Sequence, residues 1–185
     1  LVIALVGLYT VLLGGYLDSS APTTYIAKGI SNGQKVEIVF REGKFQQRGR
    51  KVKWKVIEYP FHVPLNEREY MPAFLNGKQW QDFAGMDSIS RDIIVKTPIL
   101  QYLKGMPELS SLDVRVNGHR WKVARRFIYG LLSPTLKEDY INFVADKKGK
   151  YLRVWMSGSD AAGSYEAAWI FRSNGKHSVK IDHEC

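Results

Sequence analysis

Cysteine is almost missing from this chain: of 185 residues only Cys185 carries a thiol. No disulfide can form within the chain, so its stability has to come from a buried core. No Asn-x-Ser/Thr sequon occurs, which argues against a glycosylated cell-surface protein. Histidine is sparse, at His62, His119, His177 and His183, and no Cys-x-x-Cys, His-Glu-x-x-His or His-x-His spacing is present. Zinc needs three or four ligands at suitable spacing. The run Asp182-His183-Glu184-Cys185 collects ligand types, but consecutive residues rarely converge on one ion, so neither a metal nor any other cofactor is expected. There is no Gly-x-Ser-x-Gly elbow, and Gly43–Gly49 lacks the Lys-Ser/Thr ending of a phosphate-binding loop. Glu67, Glu69 and Asp82 show no sign of converging as an acid–base pair. The expectation is a protein without catalytic residues.

Charge is also absent from one stretch, Leu1 through Leu17. At about 1.5 Å per residue a helix of that length spans roughly 25 Å, close to the minimum for crossing a bilayer. A cleaved signal would have a shorter apolar stretch and an Ala-x-Ala site; Gly14-Gly15-Tyr16-Leu17 offers none. A core helix of a soluble protein would show a polar stripe, and only Tyr9, Thr10 and Tyr16 are available. Residues 1–17 therefore read as a single transmembrane anchor, and 18–33 as a linker. Ala4, Gly7, Val11 and Gly14 recur at steps of three and four, which puts them on one helix face. Small residues let helices approach closely in lipid, so this face is expected to dock against the helices of integral membrane protein subunits.

What the chain has in excess is positive charge: 27 Lys and Arg against 18 Asp and Glu, a net +9 and a pI of about 9.6. The excess is clustered. Lys44, Arg48, Arg50, Lys51, Lys53 and Lys55 follow one another with no acid between them, and Arg120, Lys122, Arg125 and Arg126 form a second group near Arg115. On a tethered domain these are expected to be a basic surface for anionic lipid headgroups or an acidic partner. Nucleic acid is the usual alternative at this pI, and the anchor argues against it. The composition, 45% hydrophobic and 12% aromatic, is that of a folded chain.

Periodicity predicts an α+β fold: an antiparallel β-meander with one or two packed helices behind the anchor. Gln34–Arg41 reads as a strand with a turn at Glu42-Gly43. Lys51–Val56 alternates, with Val52, Trp54 and Val56 facing one way and three lysines the other. Residues 34–91 are expected to hold this strand pair and short helical segments over Leu65–Phe83. Residues 92–185 are expected to hold a helix near 98–104 packed across one meander sheet of three hairpins. The first hairpin turns at Asn117-Gly118, the strongest short hairpin signal, and returns along His119–Tyr129. The second pairs Tyr140–Asp146 with Lys150–Met156, and the third pairs Tyr165–Arg172 with His177–Asp182. Tyr165–Phe171 is apolar on both faces and should be central. The loop Ser157–Ser164 is small and polar, and reads as a connection.

Leu103-Lys104-Gly105-Met106-Pro107 resembles, with an extra Lys, the Leu-Gly-x-Pro helix end of the Tim21/Coa1 group of mitochondrial inner-membrane proteins. The Val114-x-Val116-x-Gly118 strand and the Gly158–Gly163 turn are similar to that group too. The resemblance covers residues 92–182. It implies a role in holding or assembling respiratory or translocase complexes, without catalytic residues, and favours the mitochondrial over the bacterial inner membrane. Together with the anchor, it points to a non-catalytic accessory or assembly subunit of a membrane complex. A membrane-tethered ligand- or lipid-binding domain is the alternative, favoured if Trp54, Trp121, Trp155 and Trp169 line one cavity.

Overall fold

A computed structural model of the chain describes residues 23–158 and 164–183. Among them the chain is mostly antiparallel sheet with two short helices, in keeping with an α+β class. The first strands are β1 (Thr24–Ser31) and β2 (Gln34–Lys44), joined by Asn32-Gly33 with both residues at positive φ. A two-residue loop with two positive φ values matches the twist of antiparallel strands. The linker expected over 18–33 is thus corrected from Thr24 onward: Ala27 faces the core while Ile26, Lys28 and Ile30 face out. The turn expected at Glu42-Gly43 is also corrected, because β2 runs on through both residues.

β2 pairs with β7 (Pro107–Val116), and β7 turns at Asn117-Gly118 into β8 (His119–Trp121), giving a sheet ordered β1-β2-β7-β8. The returning strand expected to reach Tyr129 stops at Trp121, and Arg125–Phe127 is a 3₁₀ turn. The remaining hairpins form as expected. β9 (Ile141–Ala145), β10 (Tyr151–Gly158), β11 (Tyr165–Arg172) and β12 (Ser178–His183) make a second sheet, with β11 in its interior. The three hairpins are therefore not one meander but parts of two sheets. Their inner faces share a single core: Ile38, Phe40, Val114 and Trp121 from one, Val154, Met156, Trp169 and Phe171 from the other.

Both edges of this sandwich are stitched. At one, Asn32 Nδ2 donates to the Ala145 carbonyl at 2.8 Å, and the Ala145 N–H donates to Ser31 Oγ at 3.0 Å. At the other, Trp169 Nε1 donates to the Phe127 carbonyl at 2.7 Å. His177 Nδ1 accepts the Arg172 N–H at 3.0 Å there, which leaves the ring proton on Nε2, 2.8 Å from the Lys122 carbonyl.

Residues 45–106 interrupt the β2–β7 pair. They hold a third sheet, β3 (Val52–Val56), β4 (Glu69–Asn76) and β5 (Gln79–Asp82), with a short β6 (Ile89–Ser90) against β4. Two helices follow, α1 (Arg91–Lys96) and α2 (Ile99–Leu103), the second within the span expected near 98–104 and with Pro98 at its N-cap. The helical segments expected over Leu65–Phe83 are strands instead, because β4 and β5 close a hairpin at Gly77-Lys78. The packed helix is also displaced from its expected place. α2 lies on this insert rather than across the meander, with Leu103 buried among Phe45, Phe74, Phe83, Met86 and Leu132.

The insert meets the sandwich along a tight seam. Ala84 bridges Leu131 in parallel, and Ala84 N–H donates to the Gly130 carbonyl at 2.8 Å. Gly130 has φ +75°, and a Cβ there would sit 2.3 Å from the Phe74 ring. Gly33 has φ +80° with open space around it. Gly130→Ala should therefore lose more stability in urea unfolding than Gly33→Ala, by about 1–3 kcal/mol for the overpacked ring on top of the shared backbone strain. Equal losses would mean that Phe74 can move aside.

Candidate interaction surface

The structure separates the expected basic surface into one buried residue and nine exposed ones. Arg50, expected at the surface, is corrected: it is only 6% exposed, and its partner Glu108 only 3%. The cause is a bulge. Ser110 is the extra residue of β7 opposite Arg41-Glu42, and its hydroxyl donates to the Arg41 carbonyl at 2.8 Å. The bulge shifts the phase of β7, so that Leu109 enters the sandwich core and Glu108 turns to the insert.

There Arg50 forms a two-pronged pair with Glu108, at 2.5 Å to Oε1 and 2.9 Å to Oε2. Arg50 also donates to the Gln46 carbonyl at 2.5 Å, and Glu108 accepts the Gly130 N–H at 3.2 Å. The guanidinium lies 4.7 Å from the Tyr129 ring centre and 4.9 Å from that of Phe45. Bidentate geometry and aromatic faces are what a buried guanidinium needs to offset its lost hydration. The pair joins residue 50 of the insert to residue 108 of the sandwich.

Lys44, Arg48, Lys51, Lys53 and Lys55 of the first cluster are exposed, as are Arg120, Lys122, Arg125 and Arg126 of the second. Several are held by neighbours. Lys53 Nζ lies 4.3 Å from the Trp80 ring centre, Lys55 pairs with Asp82 at 3.0 Å, Arg120 pairs with Asp113, and Arg126 lies over Phe127 at 5.0 Å. The first cluster runs from the end of β2 through β3, and the second from β8 into the 3₁₀ turn after it.

The outer face of the first sheet bears a charge lattice that sequence reading missed. Glu37 accepts Lys28 at 2.8 Å and Arg115 at 3.4 Å; Asp113 accepts Arg41 at 2.5 Å and also Arg120. The Lys28 ammonium holds the Glu37 carboxyl below the usual range, and the Arg41 hydrogen bond, with Arg120, does so for Asp113. The partnerships depend on cross-strand register, which brings residues 28, 37 and 115 side by side and sets residue 41 diagonally across from residue 113.

The tryptophans do not gather around one cavity. Trp121 and Trp169 are in the sandwich core, Trp155 is on the opposite face of β10 from Val154 and Met156, and Trp54 packs edge-on against Tyr102 of α2. An open cleft of about 380 Å³ lies where the β7–β8 turn meets the β9–β10 turn, lined among others by His119, Arg120, Trp121 and Lys148. The Tyr165 hydroxyl is buried with no hydrogen-bond partner among the described residues, and burial pushes its pKa up. No group of three or more metal-binding side chains occurs among the described residues.

Ala4, Gly7, Val11 and Gly14 lie outside the described residues, as does most of the Ser157–Ser164 loop. No helix among the described residues is long and apolar enough to cross a membrane. No protein-family model matches the chain, and no curated protein or solved structure matches it either.

Glu108→Ala should destabilise the fold by about 3–5 kcal/mol, since it strands a buried guanidinium. The double variant Arg50→Met/Glu108→Leu should recover most of that loss, which a urea double-mutant cycle reads directly. Glu37 and Asp113 have folded pKa values below their unfolded ones, so they stabilise in full above the ordinary carboxylate range. That contribution is lost as pH falls through the depressed values. Acid unfolding below about pH 4 should therefore be shallower in Asp113→Asn than in the unmodified chain, and added salt should narrow the difference.

Proposed function

We propose that this chain is a non-catalytic accessory or assembly subunit of a larger membrane complex, held in the bilayer by residues 1–17. The observation that carries the reading is the outward display of nine clustered cations on a domain whose two cores are filled by apolar side chains. Such a domain is suited to covering a partner rather than enclosing a substrate. The Ala4–Gly7–Val11–Gly14 face would pack against transmembrane helices of partner subunits. The basic areas would meet acidic partner surfaces and anionic headgroups outside the bilayer. High pI and the resemblance over residues 92–182 favour the mitochondrial inner membrane, with respiratory or translocase complexes as the class of partner.

The alternative is a membrane-tethered ligand-binding domain. The cleft beside His119, Arg120 and Lys148 supports it, because three nitrogen-bearing side chains around an opening suit an anionic ligand.

Solubilisation in mild detergent separates the two. A subunit co-migrates with other integral membrane proteins and stays with them in high salt, because helix packing in lipid is not screened. Gly7→Leu with Gly14→Leu should release it, whereas Lys51→Glu with Arg125→Glu should weaken the association mainly at low salt. A monomer without partners under these conditions would rule out the subunit.

A further inference from the structure

We infer that the free end of the insert is a bilayer-contacting surface, inserting apolar side chains from the β3–β4 connection and α1 into the membrane that holds the chain. This rests on the reading of residues 1–17 as an anchor and adds which face of the domain the membrane meets.

Phe61 is 67% exposed, Leu65 60% and Val95 72%, and they are the most exposed large apolar side chains of the insert. Tyr59 and Ile93 are exposed beside them in the sequence. Two segments distant along the chain are gathered at one place by Glu69. Its carboxylate accepts the Tyr59 hydroxyl at 2.5 Å and the Ser88 hydroxyl at 2.8 Å, and α1 begins three residues after Ser88. The Tyr59 and Phe61 rings stack with centres 5.6 Å apart, so the connection presents an organised aromatic pair. Pro60 and Pro64 stiffen the same stretch, which lowers the entropy lost when it is immobilised.

The occupant is identified by where the chain enters the domain. The Thr23 carbonyl accepts the Glu42 N–H at 2.8 Å, and Phe45 N–H donates to the Met106 carbonyl at 2.7 Å. The first described residue therefore lies at the root of the insert. β1 then runs away from that root, carrying the Asn32-Gly33 turn about 23 Å off at the far end. Only Asp18–Pro22 separate the charge-free segment from Thr23, and five residues reach at most about 18 Å. An anchored chain therefore cannot stand on the bilayer by its Asn32-Gly33 end, whereas the end from which the insert projects lies within reach of the linker. The side chains suit that position: Phe, Leu, Val and Ile enter the acyl region, and Tyr59 suits the headgroup level. Lys51, Lys53 and Lys55 line β3 up to the connection, while Glu58, Glu67 and Arg68 at the tip itself nearly balance. Charge therefore steers the insert, and apolar insertion holds it.

The test uses the full chain with Cys185→Ser, reconstituted in vesicles of phosphatidylcholine with an anionic phospholipid. A polarity-sensitive fluorophore is placed singly at Phe61→Cys, Val95→Cys or Lys148→Cys, and lipids bearing spin labels in their acyl chains serve as quenchers. Labels at 61 and 95 should shift to the blue and lose intensity to the quencher, while the label at 148 keeps its aqueous spectrum. Labels at 61 and 95 that stay aqueous overturn the inference. So does a blue shift that follows protein density but not the quencher, since a second copy then covers the face. Alkaline extraction of the same vesicles reads the anchor separately. A chain that resists extraction while its labels stay aqueous sinks this inference alone. A chain that is washed off sinks the anchor and this inference with it.

Discussion

The buried pair between Arg50 and Glu108 is the constraint on which the arrangement of the two cores depends. Each ion loses several kcal/mol of hydration on burial, and only close, fully bonded partners offset that loss. Glu108 reaches its position because Ser110 is bulged out of β7, and Arg50 reaches its own because the chain turns back through Gln46 and Gln47. The surrounding rings of Phe45, Phe74, Phe83 and Tyr129 belong to both parts of the molecule. If the insert shifted on the sandwich, the pair would be broken in a place that water cannot easily reach. The seam glycine, the aromatic cluster and the strand bulge therefore act as one unit that sets the insert in a single orientation.

Much of the sandwich was legible because its signals are local. The Asn117-Gly118 turn and the apolar run Tyr165–Phe171 depend only on neighbours in sequence; the turn closes β7 onto β8, and the run becomes an interior strand as read. Asn32-Gly33 carried the same turn signal, but Thr24–Ser31 alternates weakly around Lys28 and Gly29 and reads as a linker. The division into two sheets was not legible, since hairpin signals say nothing about which hairpin pairs with which. Within the insert β3 was legible from its alternation, but β4 was hidden by Pro72, whose missing N–H falls opposite Trp54 in the β3 register.

The surface was legible as composition and not as geometry. A run of six cations predicts exposure for all, and five comply; the sixth is drawn inward by an acid 58 positions away. Nothing near Arg50 in the sequence marks it as different from Arg48 or Lys51. The one available sign was Glu108, an acid leading into a strand that otherwise supplies the core. The apolar tip was equally silent, because Tyr59–Leu65 has no periodicity and its meaning comes only from its distance to α1 and from the root of the insert.

The placement of residues 45–106 between two paired strands also shapes how the chain can be made. As synthesis proceeds, β1 and β2 are complete well before β7 exists, so the inner edge of β2 offers unpaired N–H and C=O groups to any passing strand. The whole insert must emerge before that edge can be covered, which makes the pairing of β2 with β7 a late and non-local step. A nascent chain in this state invites pairing with another copy of itself, and chaperone contact or tethering at a membrane would keep copies apart during that interval. The interrupted hairpin thus opens a definite window of exposed strand edge during synthesis, between the completion of Lys44 and the arrival of Pro107.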